Sequence, residues 1–329
     1  MKKFTKVVSL VLSFALLALA FTSCALVKDA DEVNAKKQTR DTVLIINDDI
    51  RVSGGYYGWF FSLGLMQEQS KIQQDAQADS SIDSSAQSKI DIEAVKKLAQ
   101  DGVVQNKLLA KKAIELNLEY SASDVENYVE SAKAQISSQA SQIGISFKDY
   151  LELSYTSQDA FEEVMKDEFL GNLYLASLVS DKYVRAKHIL IEGSDEEGAK
   201  RTKQDAKAQI EKIKADLDNG KDFEELVSLS EDPGSSTNPD GYTFGKGEMV
   251  PEFESAAFNL KVGEISGIVE TSYGYHILKK YEVNVADIAQ AVAQTQDEEI
   301  INVIDAKAQE ITKDVKVKET DKIKFYKVD

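Results

Sequence analysis

Residues 183–193 read YVRAKHILIEG, and residues 272–282 read SYGYHILKKYE. The chain of 329 residues holds only two histidines, His188 and His276, and each opens the tripeptide His-Ile-Leu. Both runs are strand-like. Two rare residues in twin settings fit a coincidence, a small internal repeat, a metal pair or a catalytic pair. A zinc site needs about four ligands, typically His and Cys. The single cysteine, Cys24, lies far off near the N-terminus, which argues against a metal pair and leaves two strand histidines to be explained.

Working outward, the texture between Lys182 and Tyr281 is that of a small α+β unit. The strand-like YVRAKHILIE is followed by a helical stretch, Glu196–Gly220, and a second helix in DFEELVSLS. A glycine-rich loop then leads to closing strand material ending in YHILKKYE. All three prolines, Pro233, Pro239 and Pro251, fall in the loops of this section.

The flanks are helical. Ile92, Val95, Ala99 and Val103 recur at spacings of three and four. Ser123 to Glu126 has the form of a capping box. Ser157 opens a further helix, with Phe161, Met165, Phe169 and Leu173 on one face, a stripe that lines either a core or a client groove. Residues 55–69, with the only tryptophan, Trp59, read as core, and Gln67–Lys89 reads as a flexible or frayed connection. A helix is expected from Ile288 to about Thr312.

Two strand-like segments stand isolated among these helices: TVLIIND at 42–48 and KIKFYKV in the closing stretch DKIKFYKVD. A lone strand leaves its backbone groups unpaired, so the two are natural mates. Residues 43–181 and 284–329 are therefore expected to form one discontinuous, mostly helical domain, with residues 182–283 inserted as a unit of its own.

Acidic residues outnumber basic ones, 56 against 39, for a net charge of −17. That balance disfavours binding to nucleic acid or to an acidic membrane surface through bulk charge. The N-terminus carries Lys2, Lys3 and Lys6 ahead of an apolar run from Val7 to Phe21. The run is too short for a membrane span but suits an export signal, here residues 1–23. A lone cysteine excludes an intramolecular disulfide. Phe21-Thr22-Ser23-Cys24 resembles a lipobox, which implies lipidation of Cys24 and an anchor on the extracytoplasmic face of the cell membrane. Residues 24–42, polar and without an apolar period, then act as a tether.

Three ordered pieces of residues 182–283, namely RAKHILI, GKDFEELVSLSEDPGSS and FGKGEMVPEFESAAFNLKVGEISGIVETSYGYHILKK, resemble the parvulin family of peptidyl-prolyl cis/trans isomerases. With the lipobox and helical flanks, the chain as a whole resembles foldase lipoproteins of the PrsA type. The fold class implied is α+β: a mostly helical, discontinuous SurA/PrsA-like chaperone domain around a parvulin domain with a small antiparallel sheet flanked by helices. The resemblance places His188 and His276 on neighbouring central strands beneath the active site. It matches Asp232 to the site of a Cys or Asp, Thr271 to a hydroxyl that bonds the histidine pair, and Met249 and Phe253, with Phe244 nearby, to the wall of the proline pocket. It implies no cofactor and no metal, and clients that are unfolded or partly folded exported proteins. One departure is clear. Pro239-Asp240-Gly241-Tyr242-Thr243-Phe244 puts Gly241 where the pocket leucine lies, which leaves a shallower pocket unless Tyr242 fills it.

The chemistry implied needs no covalent nucleophile. Rotation about an X–Pro bond faces a barrier of about 18–20 kcal/mol because the planar amide loses resonance. A site that grips the proline ring and prefers the twisted amide lowers it. The histidines then serve as structural supports and electrostatic tuners. Phosphate-directed parvulins carry basic residues after the first strand; here Glu192, Asp195, Glu196 and Glu197 would repel a dianion. The rival readings are a non-catalytic holdase whose parvulin domain only binds peptides, and a solute-binding lipoprotein, for which no two-lobed α/β repeat is visible.

Overall fold

The computed structural model describes residues 39–78, 90–197 and 199–326. The export signal, Cys24 and most of the tether lie outside these residues. In chain order the elements are β1 (Thr42–Ile46), β2 (Ile50–Ser53), α1 (Gly54–Ala78), α2 (Ile92–Glu115), α3 (Ala122–Gln142), α4 (Phe147–Leu153) and α5 (Gln158–Ser177). There follow β3 (Val184–Glu192), α6 (Lys203–Asp218), α7 (Phe223–Leu226), β4 (Tyr242–Phe244), α8 (Pro251–Asn259), β5 (Val269–Thr271) and β6 (Gly274–Tyr281). The chain closes with α9 (Val285–Ala293), α10 (Glu298–Thr312) and β7 (Val317–Glu319). Helices with small antiparallel sheets make an α+β fold. No described helix is long and apolar enough to cross a membrane.

The described residues fall into two compact units: those up to Ala176 together with those from Ala289 onward, and those from Ser177 to Ile288. In the first unit β1 is central in a sheet ordered β2-β1-β7. Asn47 and Asp48 both adopt positive φ, 50° and 65°, which these short polar side chains tolerate, and so turn β1 back into β2. β1 also pairs with β7, Leu44 opposite Glu319 and Ile46 opposite Val317. The closing strand is thus Val317–Glu319. KIKF belongs instead to a 3₁₀ turn, Asp321–Phe325, with Tyr326 following as its C-cap; the Thr320 hydroxyl caps its start by accepting from the Lys322 N–H.

The core of this unit is aromatic. Tyr56, Tyr57, Trp59, Phe60 and Phe61 of α1 are buried against Val43, Leu44 and Ile46 of β1, with Val103, Ile136, Phe161, Met165 and Tyr326. Phe161 and Met165 are fully buried, so their stripe is core rather than a groove. Gly58 is where α1 meets the chain at Tyr155: a Cβ there would stand 2.0 Å from the Tyr155 carbonyl oxygen. Three expectations shift. α1 continues through Ala78 into the Gln/Ser-rich stretch, of which residues 79–89 are outside the described chain. The capping box belongs to Ser121 and Asp124, whose side chain and backbone bond reciprocally, not to Ser123 and Glu126. The helix expected over 288–312 is two helices, α9 and α10, with Asp297 capping the second.

The second unit holds an antiparallel sheet ordered β4-β3-β6-β5. Its period of two sorts the side chains. Ile189, Ile191, Tyr275 and Ile277 face one way and bury Ala206, Ile210 and Ile213 of α6 with Phe223 and Leu226 of α7. Val184, Ala186 and Leu278 share the other core with Phe244, Phe253 and Ala257 of β4 and α8. α6 begins only at Lys203, because the Thr202 hydroxyl caps it by accepting from the Asp205 N–H. Residues 199–202, just before it, are therefore outside the helix.

Candidate active site

β3 and β6 carry the histidines. His188 stands opposite Leu278 and His276 opposite Leu190, so the two imidazoles are diagonal neighbours on the sheet face that α8 covers. Their ring centroids are 5.2 Å apart. Phe253, from α8, meets both edge-on, at 5.1 Å from His188 and 5.5 Å from His276. Phe244 tilts against Phe253 at 5.9 Å, and Met249 packs, partly buried, on the same cluster. Thr271, at the end of β5, places Oγ1 2.8 Å from His276 Nε2 and accepts the Tyr273 N–H at 3.1 Å.

Asp232 reaches this group from a loop tied to β3. The Ser230 hydroxyl accepts the Leu190 N–H at 3.0 Å, and the Glu231 N–H donates to the Leu190 carbonyl at 2.8 Å. Asp232 Oδ1 accepts from the Gly234 N–H at 3.2 Å. Its Oδ2 accepts from the Ser235 hydroxyl at 3.0 Å and the Tyr242 hydroxyl at 2.7 Å. His188 Nε2 is farther from that oxygen, at 3.7 Å.

These surroundings set the charges. Burial pushes the His188 pKa down, only partly opposed by Asp232. Burial, and then the neighbouring His188, take His276 down to about 4. Both imidazoles are therefore neutral at pH 7, and the Nδ1 atom of each is buried without a hydrogen-bond partner. Burial would raise the Asp232 carboxyl, but the bonds from Tyr242 and Gly234 outweigh it and hold the group below its ordinary value. A carboxylate thus sits beside two uncharged imidazoles and an aromatic wall.

The structure brings together His188, His276, Thr271, Asp232, Phe253, Phe244 and Met249 in one cluster; Cys24 lies outside the described residues. Tyr242 stacks its ring on His188 at 5.8 Å and 25°. Gly241 itself has φ of 90°, and a Cβ there would stand 2.6 Å from the Ala186 carbonyl oxygen. Sequence reasoning overlooked Ser230, Gly234 and Ser235. Of these only Gly234 leaves a trace, a glycine two residues after the acid.

The loop after β3 is also occupied. Glu231 accepts from the Glu192 N–H at 2.8 Å, from both terminal nitrogens of Arg201 at 2.7 and 3.0 Å, and from Lys200 at 3.0 Å. The Arg201 bonds, first, hold the Glu231 carboxyl down to about 2. Lys203 pairs with Glu270 at 3.2 Å. The basic residues of this loop and of the start of α6 are thus already paired with local acids.

Comparison with known families decides what kind of unit this is: residues 188–282 match the family described as Rotamase, PPIC-type PPIASE domain. The chain carries a parvulin domain. The chain is also similar to curated proteins named Foldase protein PrsA. It is 49% identical over 98 residues to that of Geobacillus kaustophilus, covering 29% of this chain and 30% of the relative. It is 34% identical over 197 residues to that of Caldanaerobacter subterraneus, covering 59% of each. The chain thus spans less than two thirds of the length of these relatives. Among solved structures it is similar to PrsA from Bacillus subtilis, with 26% identity, a TM-score of 0.26, and coverage of 66% of this chain and 85% of the other.

Proposed function

We propose that the chain is a foldase that speeds cis/trans isomerisation of X–Pro bonds in exported proteins, held on the outer face of the cell membrane by a lipid on Cys24. One observation carries the catalytic part: two neutral, buried imidazoles, one carboxylate and the ring of Phe253 converge on one face of the sheet. Neutral imidazoles next to an apolar wall suit a reaction whose transition state is an amide with less charge separation than its ground state. Phe253, Met249 and Phe244 would hold the proline ring. His188, His276 and Thr271 would fix the floor beneath it, and Asp232 would set the local polarity. No side chain here is asked to form a covalent bond or to transfer a proton. Since Arg201 and Lys203 are already paired, the substrate would be an unphosphorylated X–Pro segment.

The reading extends to the rest of the chain. Residues 43–181 and 284–329 would form a discontinuous chaperone domain that takes up unfolded clients, with residues 182–283 inserted in it. Exchange of an Ala-Pro or Glu-Pro peptide, measured with the chain, tests the catalytic part. No rate above background would hand the reading to a holdase. Labelling with a radioactive fatty acid tests the anchor: Cys24→Ala should abolish incorporation, and an unlabelled wild type would rule out lipidation.

A further inference from the structure

The phenol of Tyr242 is built into the site more tightly than a filler needs. It donates to Asp232 Oδ2 at 2.7 Å while its ring lies flat against His188. A Cβ on Gly234 would stand 1.9 Å from the Tyr242 hydroxyl oxygen, so the loop yields space to that group alone. Ser235 donates to the same carboxylate oxygen at 3.0 Å. His188 Nε2, at 3.7 Å, lies beyond hydrogen-bond distance from it.

We infer that Tyr242 is a positioning residue for the isomerase reading proposed above: it occupies the Asp232 oxygen that faces His188 and so keeps the carboxylate from hydrogen-bonding that buried imidazole beneath the proline pocket. The physical reason is competition for one oxygen. A carboxylate within about 4–6 Å of an imidazole favours the imidazolium, with shifts of about 1–3 units in such pairs, and a direct hydrogen bond to that oxygen would add to the pull that Asp232 already exerts at 3.7 Å. A neutral donor that occupies the facing lone pair weakens this pull while leaving the carboxylate charged. The titratable groups against His188 are Asp232 from the loop, Tyr242 from β4 and His276 from β6; Phe253, from α8, brings no charge. Tyr242 itself, raised by burial first and by Asp232 next, to about 12, remains a donor across the working pH range.

The test uses the whole chain labelled with ¹³C-histidine. Only two imidazole signals arise, and His188→Gln assigns them. In Tyr242→Phe, which keeps the ring and removes the donor, the His188 titration midpoint should rise by about one pH unit. Gly234→Ala, which expels the phenol by a different route, should raise it in the same direction. Isomerisation of an Ala-Pro peptide at pH 7 should fall about tenfold in kcat/KM for Tyr242→Phe. A His188 midpoint unchanged in both variants overturns the assignment, whatever the rate. A wild type without isomerase activity counts against the functional reading, and the titration then decides the Tyr242 assignment by itself.

Discussion

Tyr326 donates its hydroxyl to the backbone carbonyl of Gly54 and meets the ring of Tyr57 edge-on at 4.8 Å. Residues 272 positions apart in sequence thereby close one core. Gly54 opens α1, whose first carbonyls bond along the helix, so the contact binds the chain's last described residue to the start of that helix. Tyr326→Ala should cost about 3–5 kcal/mol, the range for emptying a buried aromatic site. Tyr326→Phe should cost about 1 kcal/mol, the worth of the hydroxyl bond. Denaturant titration of both variants checks the order, and equal losses would show that the ring contributes nothing.

Removal of residues 313–329 should likewise lower the melting temperature of the helical unit, because β1 would lose its β7 partner as well as Tyr326. A truncated chain that melts with the full one would refute the closure.

Much of this was legible in the sequence, and the misses have local causes. The paired His-Ile-Leu strands announce themselves because both faces of β3 and β6 bury apolar side chains, and the motif supplies their order. The closing strand was misplaced because KIKFY alternates like a strand, whereas the true partner, Val-Lys-Glu, has almost no apolar signal. Two capping boxes overlap in Ser121-Ala122-Ser123-Asp124-Val125-Glu126, and only the chain's path chooses between them. The hold of Tyr242 on Asp232 is tertiary. Ten positions separate the two residues, and no spacing rule connects them.

Phe253 and Asp232 should separate binding from polarity. Phe253→Leu keeps an apolar side chain but removes the ring that touches both imidazoles; KM for an Ala-Pro peptide should rise several-fold. Asp232→Asn retains the shape and removes the charge, so kcat should fall about tenfold with little change in KM. Circular dichroism guards against unfolding. A Phe253→Leu variant with an unchanged KM would remove this residue from the pocket.

Glu231 should order the loop after β3. It ties Arg201, Lys200 and the Glu192 N–H together at bonds of 2.7–3.0 Å. Glu231→Ala leaves the guanidinium without its bidentate partner, and amide exchange across residues 194–202 should quicken at least tenfold. Unchanged exchange would mean that the loop is held by the Ser194–Arg201 backbone bond instead.

The two units should answer pH in opposite senses. In the parvulin domain, burial holds His276 at about 4, below its ordinary 6.5. Between these values the unfolded chain binds a proton that the folded chain refuses, so stability falls as pH drops from about 6.5 towards 4 and levels off below. The full effect is about 3 kcal/mol, and His188 adds in the same direction. In the helical unit, burial raises Glu168 from 4.5 to about 8, against the Tyr128 hydroxyl that donates to it at 3.1 Å. Here the folded chain keeps a proton that the unfolded chain has released, so stability is complete below pH 4.5 and is lost as pH rises towards 8. Glu168→Gln retains an acceptor for Tyr128 without the charge. It should leave the melting temperature unchanged at pH 4.5 and raise it at pH 8. Calorimetry of the wild type should show one transition moving down and the other up as pH goes from 5 to 8. Two transitions that move together would show that neither buried group governs its unit, and a Glu168→Gln variant no more stable at pH 8 would show that Glu168 is ionised and satisfied in the native protein.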